Sequence, residues 1–130
     1  MDRRSRALLA LAALSGLIAV AAGAFGAHGV ADLRAKDWLH TGAEYELIHA
    51  LAVFACFSVW RAGARGAELA GWLFLAGSSL FSWSLYLMAI TEQVWLGAVT
   101  PVGGLLLLAG WTVLSWAILA PNHANPEGTA

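Results

Sequence analysis

The chain carries little charge. Of its 130 residues 12% are charged, eight acidic and seven basic, where soluble domains carry roughly 25%. Hydrophobic residues make up 60% and mean hydropathy is +0.71. A soluble fold of this size has no interior large enough to hide so much apolar surface, so an ordinary water-soluble domain is excluded. The net charge of −1 leaves no basic surface to gather phosphates, which excludes a nucleic-acid partner. A single cysteine, Cys56, excludes an intrachain disulfide, and its apolar setting marks it as a packing residue. No nucleophile motif, Gly-rich phosphate loop, haem-attachment sequence or zinc-ligand spacing is present. No metal and no cofactor are therefore expected, and an enzyme is disfavoured for want of a complete catalytic constellation.

What the chain does have is long uncharged runs. There is no charge between Arg6 and Asp32, from Leu69 to Thr91, or from Gln93 to Ala120. Each exceeds the roughly 18–20 apolar residues a helix needs to cross the hydrocarbon core. A fourth run, Leu47 to Trp60, is only 14 residues long. It spans only if its helix begins near Thr41, with Glu44 and Glu46 in the first turns. The expected fold class is an all-α membrane protein: one four-transmembrane-helix bundle over 1–120, with helices at about 7–28, 42–61, 68–91 and 100–119. Arg3, Arg4 and Arg6 followed by Ala22-Gly23-Ala24 imitate a signal peptide. The apolar part, about 20 residues, is longer than the roughly 7–15 of a cleaved signal, and an uncleaved anchor is expected.

With four spans, one side of the membrane holds Arg3, Arg4, Arg6, Arg61 and Arg65, and the other only Arg34 and Lys36. This bias predicts both termini in the cytoplasm, and Trp38, Trp60, Trp95 and Trp116 fall near the expected interfaces. Between the first two spans, Asp32 and Lys36 lie one turn apart among Leu33, Trp38 and Leu39, which predicts a short interfacial helix. Thr100-Pro101 reads as an N-cap with proline at the first helical position, starting the last helix. The tail over 121–130 is polar and expected to be disordered.

In lipid, helices associate through close backbone approach at small residues. Ala19, Gly23 and Ala27 form a small-xxx-small ridge on the first helix, with Ala22 and Gly26 beside it. Gly103, Gly104 and Gly110 play this part on the last helix, and Gly71, Gly77, Ser78 and Ser79 on the third. Bundle packing accounts for these residues, and a dimer face is the alternative.

Polar residues inside the membrane are the chemical signal, because each is costly unless paired or useful. The candidate cluster is His28, Glu44, Tyr45, Glu46, His49, Ser82 and Tyr86. Tyr45, Glu46 and His49 are spaced to share one helix face, and Ser82 and Tyr86 are four apart. This topology gathers the polar groups into the outer half of the bilayer and leaves the inner half apolar. Structural readings stand beside the functional one. Thr41-x-x-Glu44 is a capping box, His49 serves as an interhelical hydrogen-bonding group, and His28 and Glu46 sit solvated at the interface. In the sharper reading, glutamate and histidine side by side relay protons.

At these residues the sequence resembles the YgdD-like small inner-membrane proteins, a domain-of-unknown-function family (number 423) of bacteria with relatives in eukaryotes. The resemblance rests on Gly23-Ala-Phe-Gly-Ala-His-Gly29, Thr41-Gly-Ala-Glu-Tyr-Glu-Leu-Ile-His-Ala50, Phe81-Ser-Trp-Ser-Leu-Tyr-Leu87 and Thr100-Pro-Val-Gly-Gly104, in that order, and covers about residues 5–120. Two positions depart from the family pattern: Glu46 stands where glutamine is usual, and Trp83 where glycine is usual. The resemblance implies a multi-pass protein of the bacterial inner membrane and brings no established activity.

Three functions follow as expectations. The first is an accessory or scaffold protein that packs against the lipid bilayer and against other membrane proteins or copies of itself. The second is transport of a small solute, ion or proton through His28, Glu44, Tyr45 and His49. The third is lipid-headgroup binding or a membrane enzyme.

Overall fold

The computed structural model describes residues 1–120. The tail over 121–130, expected to be disordered, lies outside the described residues. Four helices account for nearly everything else: α1 Arg3–His28, α2 Leu33–Arg61, α3 Ala67–Thr91 and α4 Thr100–Leu119. A single 3₁₀ stretch, Val94–Ala98, leads into α4. Among the described residues there is no strand, and four helical segments are long and apolar enough to cross a membrane. This is the architecture that lipid imposes, since a helix satisfies its backbone hydrogen bonds within itself.

Helix starts are set by carboxylates. Asp2 accepts from the backbone N–H of Ser5 at 2.7 Å, and that bond holds its carboxyl below the usual aspartate value. Asp32 caps α2 in the same way, accepting from the Ala35 N–H at 2.8 Å. This second cap overturns the expected boundary. Residues 33–40 do not form a separate interfacial helix; they are the first turns of α2, which runs unbroken for 29 residues. Thr41 and Glu44 therefore lie inside the helix, and the capping box predicted there does not form. Asp32, one turn from Lys36, serves as the cap, its carboxylate facing the Ala35 amide. At α4, Pro101 sits in the first turn, but no side chain caps the end. The Thr100 hydroxyl bonds the Ser84 hydroxyl of α3 at 2.7 Å instead.

Neighbours in sequence pack as antiparallel neighbours in space. α2 meets both α1 and α3 over long contacts, α3 also meets α4, and α1 touches α3 only lightly. The bundle is thus built around α2 and α3, with α1 and α4 on its flanks. An ion pair between Arg4 and Glu68, 2.9 Å apart, joins the N-terminal ends of α1 and α3. Nearby lies an apolar core of Leu8, Ala12, Val53, Cys56, Ala70 and Phe74.

The glycines sort by what stands opposite them. A Cβ on Gly103 would collide with the backbone N of Phe81 and stand 2.7 Å from the carbonyl oxygen of Gly77, so α3 and α4 meet backbone to backbone. A Cβ on Gly26 would stand 2.9 Å from Leu39 and one on Gly23 3.5 Å from Ala43, both across the α1–α2 seam where Ala19 is also buried. Ala27 is exposed and Gly104 meets nothing closer than 3.9 Å. Glu92, which ends α3, holds a left-handed backbone with φ 58°.

Backbone cannot move aside as a side-chain tip can. Gly103→Ala is expected to lower stability by about 1–3 kcal/mol through overpacking. Gly16→Ala, at a position with nothing within 4 Å, should leave stability unchanged or raise it by up to ~1 kcal/mol. Unfolding in mixed micelles measures both, and equal effects would refute the backbone contact.

A buried carboxyl at the junction of three helices

Glu46 is the centre of the site. It stands about midway along α2 and is 1% exposed. Ser15, about midway along α1, donates its hydroxyl to Oε1 at 2.8 Å. Tyr86 of α3 donates its hydroxyl to Oε2 at 2.7 Å. One side chain thus joins three helices, each oxygen holding one donor. Its neighbour Glu44 points elsewhere, because residues two apart on a helix do not share a face. Glu44 is exposed and lies 4.0 Å from His40. The Arg4–Glu68 pair and this His40–Glu44 contact, an ion pair only when the imidazole is protonated, are the close acid–base pairs among the described residues, and none of them involves Glu46.

Tyr86 reaches Glu46 over a gap left by Gly42. A Cβ at Gly42 would lie 2.6 Å from Cε1 of the Tyr86 ring, so a larger residue there would push the ring off α2. The same turn is fastened by Ser82, fully buried, whose hydroxyl donates to the Gly42 carbonyl at 2.7 Å. Because α2 and α3 run antiparallel, Ser82 lies opposite Gly42 and the Tyr86 ring leans back along α3, over Gly42, to bring its hydroxyl to Glu46.

One turn further along α2, His49 is buried and both its ring nitrogens are occupied. Nδ1 lies 2.7 Å from the Tyr45 carbonyl oxygen, and Nε2 lies 3.1 Å from the indole nitrogen of Trp111 on α4. An indole only donates and a carbonyl only accepts, so the contacts assign the neutral ring with its hydrogen on Nδ1. Aromatic rings enclose it: Phe74 at 5.4 Å, Trp111 and Tyr45 at 6.0 Å, between ring centroids. Tyr45 in turn stacks on Phe81 at 4.4 Å.

Of the seven residues expected to cluster, the structure brings together Glu46, Tyr86 and Ser82, and beside them His49 and Tyr45. His28 and Glu44 are not part of it. His28 is exposed at the end of α1. The site also reaches deeper than the outer half to which it was assigned, since Ser15 lies about midway along α1. Ser15 and Trp111 were both missed. Each is a polar-capable residue inside an otherwise apolar run, and that was the signal available.

Beside Glu46 a groove of about 220 Å³ opens between α1 and α3. Leu11, Leu14, Ile18, Leu75 and Trp83 form its apolar walls, and Ser15, Ser79 and Glu46 its polar part. Leu11, Leu14 and Trp83 are half exposed, so the groove opens on the outer surface of the bundle. Among the described residues, no group of three or more His, Cys, Asp or Glu is placed to hold a metal ion.

The family model described as "Protein of unknown function (DUF423)" matches residues 22–104. The chain belongs to this family. Among relatives, the UPF0382 membrane protein YwdK of Bacillus subtilis is 40% identical over 77 residues, 58% of this chain and 63% of that protein. A UPF0382 membrane protein of Staphylococcus epidermidis is 36% identical over 95 residues, 71% of this chain and 78% of that protein. The UPF0382 inner membrane protein YgdD of Escherichia coli is 40% identical over 83 residues, 59% of this chain and 60% of that protein. The chain thus spans about three fifths of the length of several curated relatives it matches. No solved structure gives a significant match. These relatives are named membrane proteins; this member of the family is a membrane protein with four helices long and apolar enough to cross a bilayer, and its site is built from residues inside the matched segment together with Ser15 and Trp111 outside it.

If Tyr86 and Glu46 bond as described, a double-mutant cycle of Tyr86→Phe and Glu46→Leu, which removes both carboxyl oxygens, should give a coupling near 0.6 kcal/mol and no more than about 1.7 kcal/mol, the range for hydrogen bonds between membrane helices. Additive effects would show that the two do not interact. Gly42→Ala should reduce that coupling by displacing the tyrosine ring. Trp111→Phe leaves His49 Nε2 without its donor, with an expected loss of about 1 kcal/mol, read as a lower unfolding midpoint in mixed micelles.

Proposed function

We propose that this protein acts by helix association in the membrane, as a non-enzymatic accessory or scaffold component. One observation carries the reading: apart from the Trp72 indole N–H, which is buried without a partner, the fully buried polar side-chain atoms of the described bundle are hydrogen-bonded, while the outer faces are apolar. Ser15, Glu46, Tyr86, Ser82 and His49 each have a partner on a neighbouring helix or the helix backbone. The set His28, Glu44, Tyr45 and His49, which the transport reading requires, is divided between exposed and buried positions. Outward-facing Leu14, Leu17 and Val20 on α1, with Leu105 and Leu108 on α4, leave both flanks open to lipid or to another helix.

The same reading places the protein in the bacterial plasma membrane with both termini cytoplasmic. The relative named an inner membrane protein and the concentration of arginines at the Arg3 and Arg61 ends support this. Small-residue packing of the kind seen at Gly103 supports association within the bundle, and the open flanks supply faces for a partner.

Photo-crosslinking side chains at Leu17, Val20, Leu105 and Leu108, activated in native membranes, provide the test. One flank should yield an adduct with a second polypeptide. Adducts of lipid size at all four positions would remove the proposal. A cysteine placed before Arg3 should resist a membrane-impermeant thiol reagent in intact cells, and one at Lys36 should react.

A further inference from the structure

We propose that the groove between α1 and α3 binds a lipophilic monocation, an ammonium head on an apolar body, with Glu46 as its counter-ion. The groove's composition selects this class. Its walls are Leu11, Leu14, Ile18, Leu75 and Trp83, and its polar lining residues are Ser15, Ser79 and, at the groove's floor and 1% exposed, Glu46. An acyl tail suits the walls and leaves the carboxyl unused, while a hydrated inorganic ion suits the carboxyl and not the walls. An alkylammonium satisfies both.

The carboxyl is prepared for such a ligand. Glu46 has no cation of its own among the described residues. Ser15 and Tyr86 take one lone pair on each oxygen, holding the group in place and leaving further acceptor capacity on both atoms. In an apolar setting an ion pair gains far more than in water, provided that hydrogen bonds hold its geometry. Trp83 adds an aromatic wall beside Tyr86, their rings 6.0 Å apart and edge to face, and an indole face attracts an ammonium within about 6 Å. A volume of about 220 Å³ equals roughly seven groups of water size at ~30 Å³ each. That accommodates the head and the first methylenes, and the rest of the chain passes between Leu11 and Leu14 into the bilayer. The ligand enters sideways from the membrane, along the light α1–α3 contact.

The experiment uses decylammonium and its neutral analogue decanol, titrated into the full chain in non-ionic micelles with tryptophan fluorescence as readout and empty micelles subtracted. The expected result is saturable decylammonium binding, at least tenfold weaker in Glu46→Gln, with decanol unaffected by that change. Glutamine keeps the shape and accepts or donates to the same two hydroxyls, so helicity should be retained. Leu14→Trp, at a half-exposed position on the groove wall, should also weaken decylammonium binding and leaves Glu46 in place, which keeps the test open if Glu46→Gln does not fold. Equal affinity of wild type for decanol and decylammonium, or decylammonium binding unchanged in either variant, would overturn the proposal.

Discussion

A membrane interior offers no hydrogen bonds, and the rest of this structure depends on that one constraint. Each polar atom that enters the hydrocarbon needs a partner brought by another helix or by its own backbone. The Glu46 carboxyl shows the consequence most directly. With one hydroxyl from α1 and one from α3, it sets the rotation of three helices about their own axes. A slide or rotation of any of them would strand an oxygen or a hydroxyl in an apolar medium. Leucine and alanine contacts supply attraction between these helices, but they tolerate many registers. The hydrogen bonds select one.

The close approaches serve the same end. Tyr86 reaches Glu46 because Gly42 leaves room for its ring. α4 comes close enough to α3 for Thr100 to meet Ser84 because Gly103 lies against backbone. Trp111 then extends the network to α4 through His49. Small residues and polar residues are thus parts of one device here: the first permit the distance, and the second fix the register.

Much of the fold was legible in the sequence, for a reason tied to solvent. Lipid requires some twenty uncharged residues per crossing, and the runs after Arg6, Glu68 and Glu92 announce themselves. α2 was harder to read. Hydropathy reports which solvent a residue prefers, whereas a helix continues wherever its backbone bonds continue. The charged stretch from Asp32 to His40 therefore looked like a break and is the start of the helix, capped by the Asp32 side chain. Within the site, spacing identified the partners that share a helix, such as Ser82 with Tyr86. Spacing says nothing about which face of a different helix lies opposite, so Ser15 and Trp111 went unread. Nearness along the chain drew in Glu44, which stands on the opposite face from Glu46.

The continuity of α2 gives the molecule a mechanical property. At 1.5 Å per residue its 29 residues measure roughly 43 Å, against a hydrocarbon layer of about 30 Å. The surplus takes in the first turns, which carry Arg34, Lys36 and Asp37 while Ala35 and Leu39 on the same turns stay buried in the bundle. A change in bilayer thickness alters helix tilt. On a rod without a hinge that is packed along its whole length, such a tilt would move those charges together with the helices they pack against.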